Sequence, residues 1–95
     1  MNAPEPRHEN ALPEHPRLSR RFRLQFEEAQ QRHVLLYPEG MVQLNDTAAE
    51  IIRRCDGSRT VDGIVNDLET TYRVQGIAPQ VRNLIEEGLR RGWIE

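Results

Sequence analysis

An α+β domain of three antiparallel strands followed by three helices is the fold that this 95-residue sequence predicts. Three observations carry it. Phe22, Leu24 and Phe26 alternate with Arg23, Gln25 and Glu27, the two-residue period of a half-buried strand. Two further short apolar runs flank Pro38-Glu39-Gly40, a turn sequence. Beyond Asn45 the apolar residues switch to spacings of three and four, in stretches punctuated by glycine.

Residues 1–17 hold four prolines, several charges and one sizeable hydrophobe, Leu12, too little apolar surface to offset the entropy of ordering. They are expected to form a disordered tail, with a winged-helix-like domain over residues 18–95. The first strand runs from about Phe22, the second from His33 to Tyr37 and the third from Met41 to Asn45, an antiparallel meander. Asn45, Asp46 and Thr47 are each suited to cap the first helix, and Thr47 with Glu50 fits a capping box. That helix turns Ala48, Ile51, Ile52 and Cys55 to one side and stops at Gly57. A second opens at Thr60, buries Val61, Ile64, Val65, Leu68 and Tyr72, and ends near Gly76. Pro79 suits the first turn of a third, striped by Val81, Leu84, Ile85 and Leu89 and closed by Gly92, after which Trp93-Ile94 folds back as a plug or short strand. Strands, then helices, on short links give the domain a winged helix-turn-helix-like character.

Composition removes whole classes of chemistry. The formal net charge is −2, against the basic balance of a free-standing nucleic-acid binder. All thirteen basic residues are arginines, so no lysine is present to form a Schiff base. Cys55 is a lone cysteine and reads as a packing thiol; His8, His15 and His33 have no ligand spacing, so neither a metal nor a cofactor is expected. No phosphate loop, nucleophile elbow or paired acid and base emerges, and the chain reads as a non-enzyme without catalytic residues. Without a secretory h-region or an apolar run near the roughly 20 residues of a membrane span, a cytoplasmic, non-membrane protein is expected.

The run VLLYPEGMVQLNDTAAEIIRRCDGSRTV, preceded by RRFRLQFEE and followed by GWIE, resembles the PqqD family of pyrroloquinoline quinone biosynthesis over about residues 17–95. The resemblance implies a RiPP recognition element, a peptide chaperone. It would bind the leader of the precursor peptide PqqA and deliver it to the radical SAM enzyme PqqE. It also implies a groove lined by Met41, Val42, Gln43, Leu44 and Asn45 on the strand side and by Val81, Arg82, Leu84 and Ile85 on the third helix. Independently of family, a meander followed by a helix leaves an outer strand whose backbone can accept an extended peptide.

The arginines Arg17, Arg20, Arg21 and Arg23, with Arg53, Arg54 and Arg59, suit docking to an acidic partner surface. The rival reading is a DNA-binding winged helix using Gln80, Arg82, Asn83, Arg90 and Arg91, opposed by Glu86 and Glu87 on the same surface. The Pro38–Gly40 hinge beside an open edge also leaves a swapped homodimer open.

Overall fold

A computed structural model describes residues 11–95, with the elements β1 (Arg23–Glu27), β2 (Arg32–Tyr37), β3 (Gly40–Gln43), α1 (Asp46–Arg53), α2 (Val61–Tyr72) and α3 (Ala78–Arg91). The three strands form one antiparallel sheet in the order β1-β2-β3, so β2 is central and both β1 and β3 are edges. The expected α+β order of three strands and then three helices is the observed one.

Register decides which side chains meet the helices. Leu24, Leu35 and Val42 stand in one row across the sheet and pack into the core, whereas Gln25, Val34 and Gln43 form the next row on the opposite face. Val34 is nevertheless buried there. Above it Gln43 accepts from Arg32 at 3.0 Å and donates to Gln30 at 2.9 Å. The core itself joins Leu35 to Ile51 and Ile52 of α1, Ile64 and Leu68 of α2, and Val81 and Ile85 of α3. Phe26 lies on the core side by parity, yet it is 43% exposed, with the His33 ring set edge-on to it at 5.0 Å.

Local chemistry sets the helix ends. Asn45 wins the capping position, its side chain accepting from the Ala48 N–H at 2.7 Å, so β3 stops at Gln43 rather than Asn45. The Thr47–Glu50 box does not form; Glu50 is drawn to Arg54 at 2.8 Å instead. Thr60 caps α2 as expected, through Gly63 at 3.0 Å. α2 ends at Tyr72, four residues before Gly76, because Arg73 takes a left-handed conformation (φ 55°). The link that follows is pinned by Glu69, whose carboxylate accepts from Gly76 and Ile77 at 2.9 and 3.2 Å. At the far end of α3, Gly88 is needed for close approach: a Cβ there would stand 2.7 Å from Cδ1 of Ile94.

The folded boundary lies earlier than residue 18. Residues 1–10 of the expected tail fall outside the described residues, but Leu12 packs on the core and Pro16 is buried. Arg17 and Glu95 exchange backbone hydrogen bonds at 3.0 and 2.9 Å, Leu18 donates to Cys55, Ser19 donates to Trp93, and Gly57 donates to Pro16. Proline has no N–H to satisfy, so a proline that only accepts can be buried in this clasp at little cost. Trp93 and Ile94 are buried by it, with Ile94 bridged to Leu18.

Candidate peptide-binding site

The outer edge of β3 is built by parity. Leu44 donates to the His33 carbonyl at 3.0 Å, and the two residues face one another in register, so this is a hydrogen-bonded pair. Antiparallel ladders alternate, which makes Leu35/Val42 and Tyr37/Gly40 bonded pairs too. The N–H and C=O groups of Gly40, Val42 and Leu44 therefore point to β2. Those of Met41 and Gln43 point away from the sheet, four strand-spaced groups without a neighbouring strand among the described residues.

Beyond the strand, the chain passes Asn45 into α1, and a depression of about 370 Å³ opens between that entry and α3. Asn45, Thr47 and Ile51 form one wall; Gln80, Asn83, Leu84 and Glu87 form the other. An extended segment lying on β3 would run directly into this depression, where half-buried Leu84 offers an apolar contact among amides.

The expected groove residues separate into five groups. Gln43 and Met41 supply the outward backbone, but their side chains lie on the face of the sheet opposite the helices, and Met41 is 48% exposed there. Asn45 and Leu84 line the depression, and Val42 is half-buried on the core side. Leu44, Val81 and Ile85 are corrected to core positions, because the stripe that packs a helix against its neighbours is largely covered by them. Arg82 lies outside the depression, turned to Asp62 at the start of α2 (3.7 Å), beside Leu12 and Pro13. Thr47, Gln80 and Asn83, polar neighbours of the apolar stripes, are the lining residues that sequence reasoning missed.

The docking arginines do not form one patch. Arg20, Arg21 and Arg23 surround a depression of about 440 Å³ floored by Phe22, Leu36, Tyr37 and Pro38, with the Phe22 and Tyr37 rings 5.1 Å apart. Arg21 there meets Glu39 at 3.3 Å. Arg17 belongs to a different corner, bridged to Asp56, which pairs with Arg59 at 3.7 Å. Arg53 is exposed beside Glu50 at 3.6 Å. Arg54 is corrected to a structural role, its side chain only 12% exposed and held by Glu50 at 2.8 Å and Asp67 at 2.5 Å. Burial opposes ionisation of Glu50, but bonds from Arg54 and Tyr72 outweigh it and hold the carboxyl below its ordinary range. Asp67 is lowered chiefly by its bond from Arg54.

Little in this surface suits catalysis or duplex binding. Burial, with neighbouring Asp56, pushes the Cys55 thiol up to about 12, and its Sγ bonds the Ile51 carbonyl at 3.3 Å, which leaves no thiolate at neutral pH. Among the described residues no group of three or more His, Cys, Asp or Glu gathers as for a metal, and no helix is long and apolar enough to cross a membrane. The basic side chains of α3 are already engaged, Arg82 with Asp62, Arg91 with Glu87 at 2.7 Å and Arg90 with Glu87 at 3.7 Å, so the DNA reading finds no basic face.

The family model for coenzyme PQQ synthesis protein D (PqqD) matches residues 32–94. The chain belongs to the PqqD family. A PqqA binding protein of Methylococcus capsulatus is 53% identical over 77 residues, covering 81% of this chain and 83% of its own. One of Azotobacter vinelandii is 47% identical over 88 residues, covering 92% and 96%. Among solved structures, the solution NMR structure of the PqqD truncation of Methylobacterium extorquens PqqCD superposes with a TM-score of 0.75 at 30% identity, covering 94% of this chain and 99% of that one. That truncation is described as a functional, stand-alone RiPP recognition element. The PqqD match runs from β2 to Ile94 and so includes the β3 edge, the depression and the whole helical layer, while β1 and the Arg17–Ser19 clasp precede it.

Proposed function

We propose that this PqqD-family chain is a RiPP recognition element that binds the leader of PqqA as an added strand on β3 and presents it to the radical SAM enzyme PqqE. The observation that carries the reading is the outward backbone of Met41 and Gln43, running into the depression beside Leu84. Strand addition draws affinity from main-chain hydrogen bonds and specificity from pockets beside the edge, and both are present together here. The names of the relatives support PqqA as the peptide and binding, not catalysis, as the task.

Docking of PqqE falls to a separate surface in this reading. Arg20, Arg21 and Arg23 around the Phe22–Tyr37 floor suit an acidic segment carrying an apolar side chain. Amide exchange tests the leader half: adding a synthetic PqqA peptide is expected to slow exchange at Met41 and Gln43, whose N–H groups otherwise face water, with little change at Val42. Slowing spread evenly over β2 and β3, or none at β3, would remove strand addition.

A further inference from the structure

A second cleft adjoins the depression, and the fold explains why it is open. α2 stops at Tyr72, Glu69 ties down Gly76 and Ile77, and the cleft lies between the link that follows and the start of α1. The space left is about 430 Å³, floored by Ile51, Leu68, Ile77 and Val81. Its rim carries Tyr72 and Val74, 49% and 40% exposed, two of the four large exposed hydrophobics among the described residues. Single exposed hydrophobics are ordinary; two on the rim of one apolar cleft are a binding feature. The cleft shares Thr47, Ile51 and Gln80 with the depression that begins at Asn45, so the path from the β3 edge into it is continuous.

We infer that this cleft reads one apolar side chain of the same peptide, at a position outside the strand-paired stretch, where the peptide runs past Asn45 and over the first turn of α1. The inference rests on the strand-addition reading for where the peptide lies, and it adds a residue-selective anchor to an edge that by itself is nearly blind to sequence. The occupant is of leucine, methionine or phenylalanine type, since the floor is aliphatic and the wall aromatic. Charge narrows its context. Glu50 at the mouth is neutralised by Arg53 and Arg54, while Asp46 has no ion pair among the described residues, so a basic residue beside the anchor is favoured and an acidic one repelled.

The test titrates a synthetic PqqA peptide into the wild-type chain, Val74→Asp, Gln43→Pro and Met41→Pro, with methyl NMR on Ile77 and Leu68. Val74 is on the surface, so Val74→Asp is expected to fold, and thermal melting checks it; Tyr72→Ala serves as a second variant. Val74→Asp should weaken binding about ten- to a hundredfold, the worth of one buried side chain. One apolar-to-alanine change in the peptide should cost as much with the wild type and almost nothing more with Val74→Asp. The Ile77 and Leu68 methyls should shift on binding. If Gln43→Pro weakens binding but Val74→Asp does not and the methyls stay still, the cleft inference falls and strand addition stands. If Val74→Asp weakens it and neither Gln43→Pro nor Met41→Pro does, the cleft contact stands and strand addition falls. A wild-type chain that does not take up the peptide overturns both.

Discussion

Proline at Gln43 and at Val42 should have opposite consequences, and the difference follows from one hydrogen bond. The Gln43 N–H faces away from the sheet, so Gln43→Pro leaves the β2–β3 ladder whole and removes a donor that only a visiting strand would use. Its residue before proline, Val42, already has the extended backbone that position prefers. Only the exposed bonds of the Gln43 side chain to Gln30 and Arg32 are lost, worth a few tenths of a kcal/mol. Binding should weaken by about 1 kcal/mol for the missing bond, rising to about 3 if the peptide carbonyl is left buried without a donor. That is about fivefold to about 150-fold in Kd. Val42→Pro instead removes a donor from the ladder to Leu35 and should cost about 1–3 kcal/mol of folding stability, or roughly 5–20 °C in Tm for a domain of this size. Calorimetric titration with a PqqA peptide, alongside thermal melts of both variants, reads the two effects separately. Wild-type affinity in Gln43→Pro together with wild-type affinity in Met41→Pro would refute the reasoning, since between them they remove both outward donors.

Gly88→Ala should destabilise the fold by about 1–3 kcal/mol without touching the peptide edge, because its Cβ would collide with Ile94; a lowered Tm with unchanged peptide affinity is the expected pair of results. The folded state holds Glu50 and Asp67 below their ordinary values of 4.5 and 3.8, so their contribution to stability is complete above about pH 4.5 and is lost as pH falls through the lower, folded values. Arg54→Met should flatten that acid limb, and urea melts from pH 7 downward measure it; an unchanged limb would put the acid sensitivity elsewhere. Arg20→Glu with Arg23→Glu should impair capture by PqqE and spare the peptide, and added salt should weaken the enzyme contact more than the leader contact, because exposed pairs are screened over about 8–10 Å. Pull-down at two ionic strengths would show the reverse if the surfaces were assigned the wrong way round.

The meander and the helices are legible in the sequence because their signals are local: Phe22-Leu24-Phe26 alternate, Pro38-Glu39-Gly40 turns, and Thr60, Pro79 and Gly92 mark helix ends. The faces are harder. Val34, Leu35 and Leu36 are all apolar, so β2 conceals its own parity, and only the pairing with Leu24 and Val42 shows that Leu35 meets the helices. The same parity sends the Met41 side chain to the face of the sheet away from the helices. On α3 the three-to-four spacing identifies Val81 and Ile85 as one stripe, but the depression is lined from the flank of that stripe, by Gln80, Asn83 and Leu84. A short polar residue beside a core position carries no sequence signal of its own. Arg54 shows the complementary difficulty: an arginine adjacent to an exposed one is buried by Asp67, thirteen residues along the chain.

The mutual hydrogen bonds of Arg17 and Glu95 also govern how the domain can be joined to anything else. The clasp sits beside Cys55–Gly57, just past the C-terminal end of α1, whereas β3 delivers its edge to the N-terminal end of the same eight-residue helix, about 12 Å away. A cargo tethered at Glu95 therefore hangs off the opposite end of α1 from the outer edge of β3. Such a tether raises the effective concentration of the cargo to the millimolar range without covering that edge.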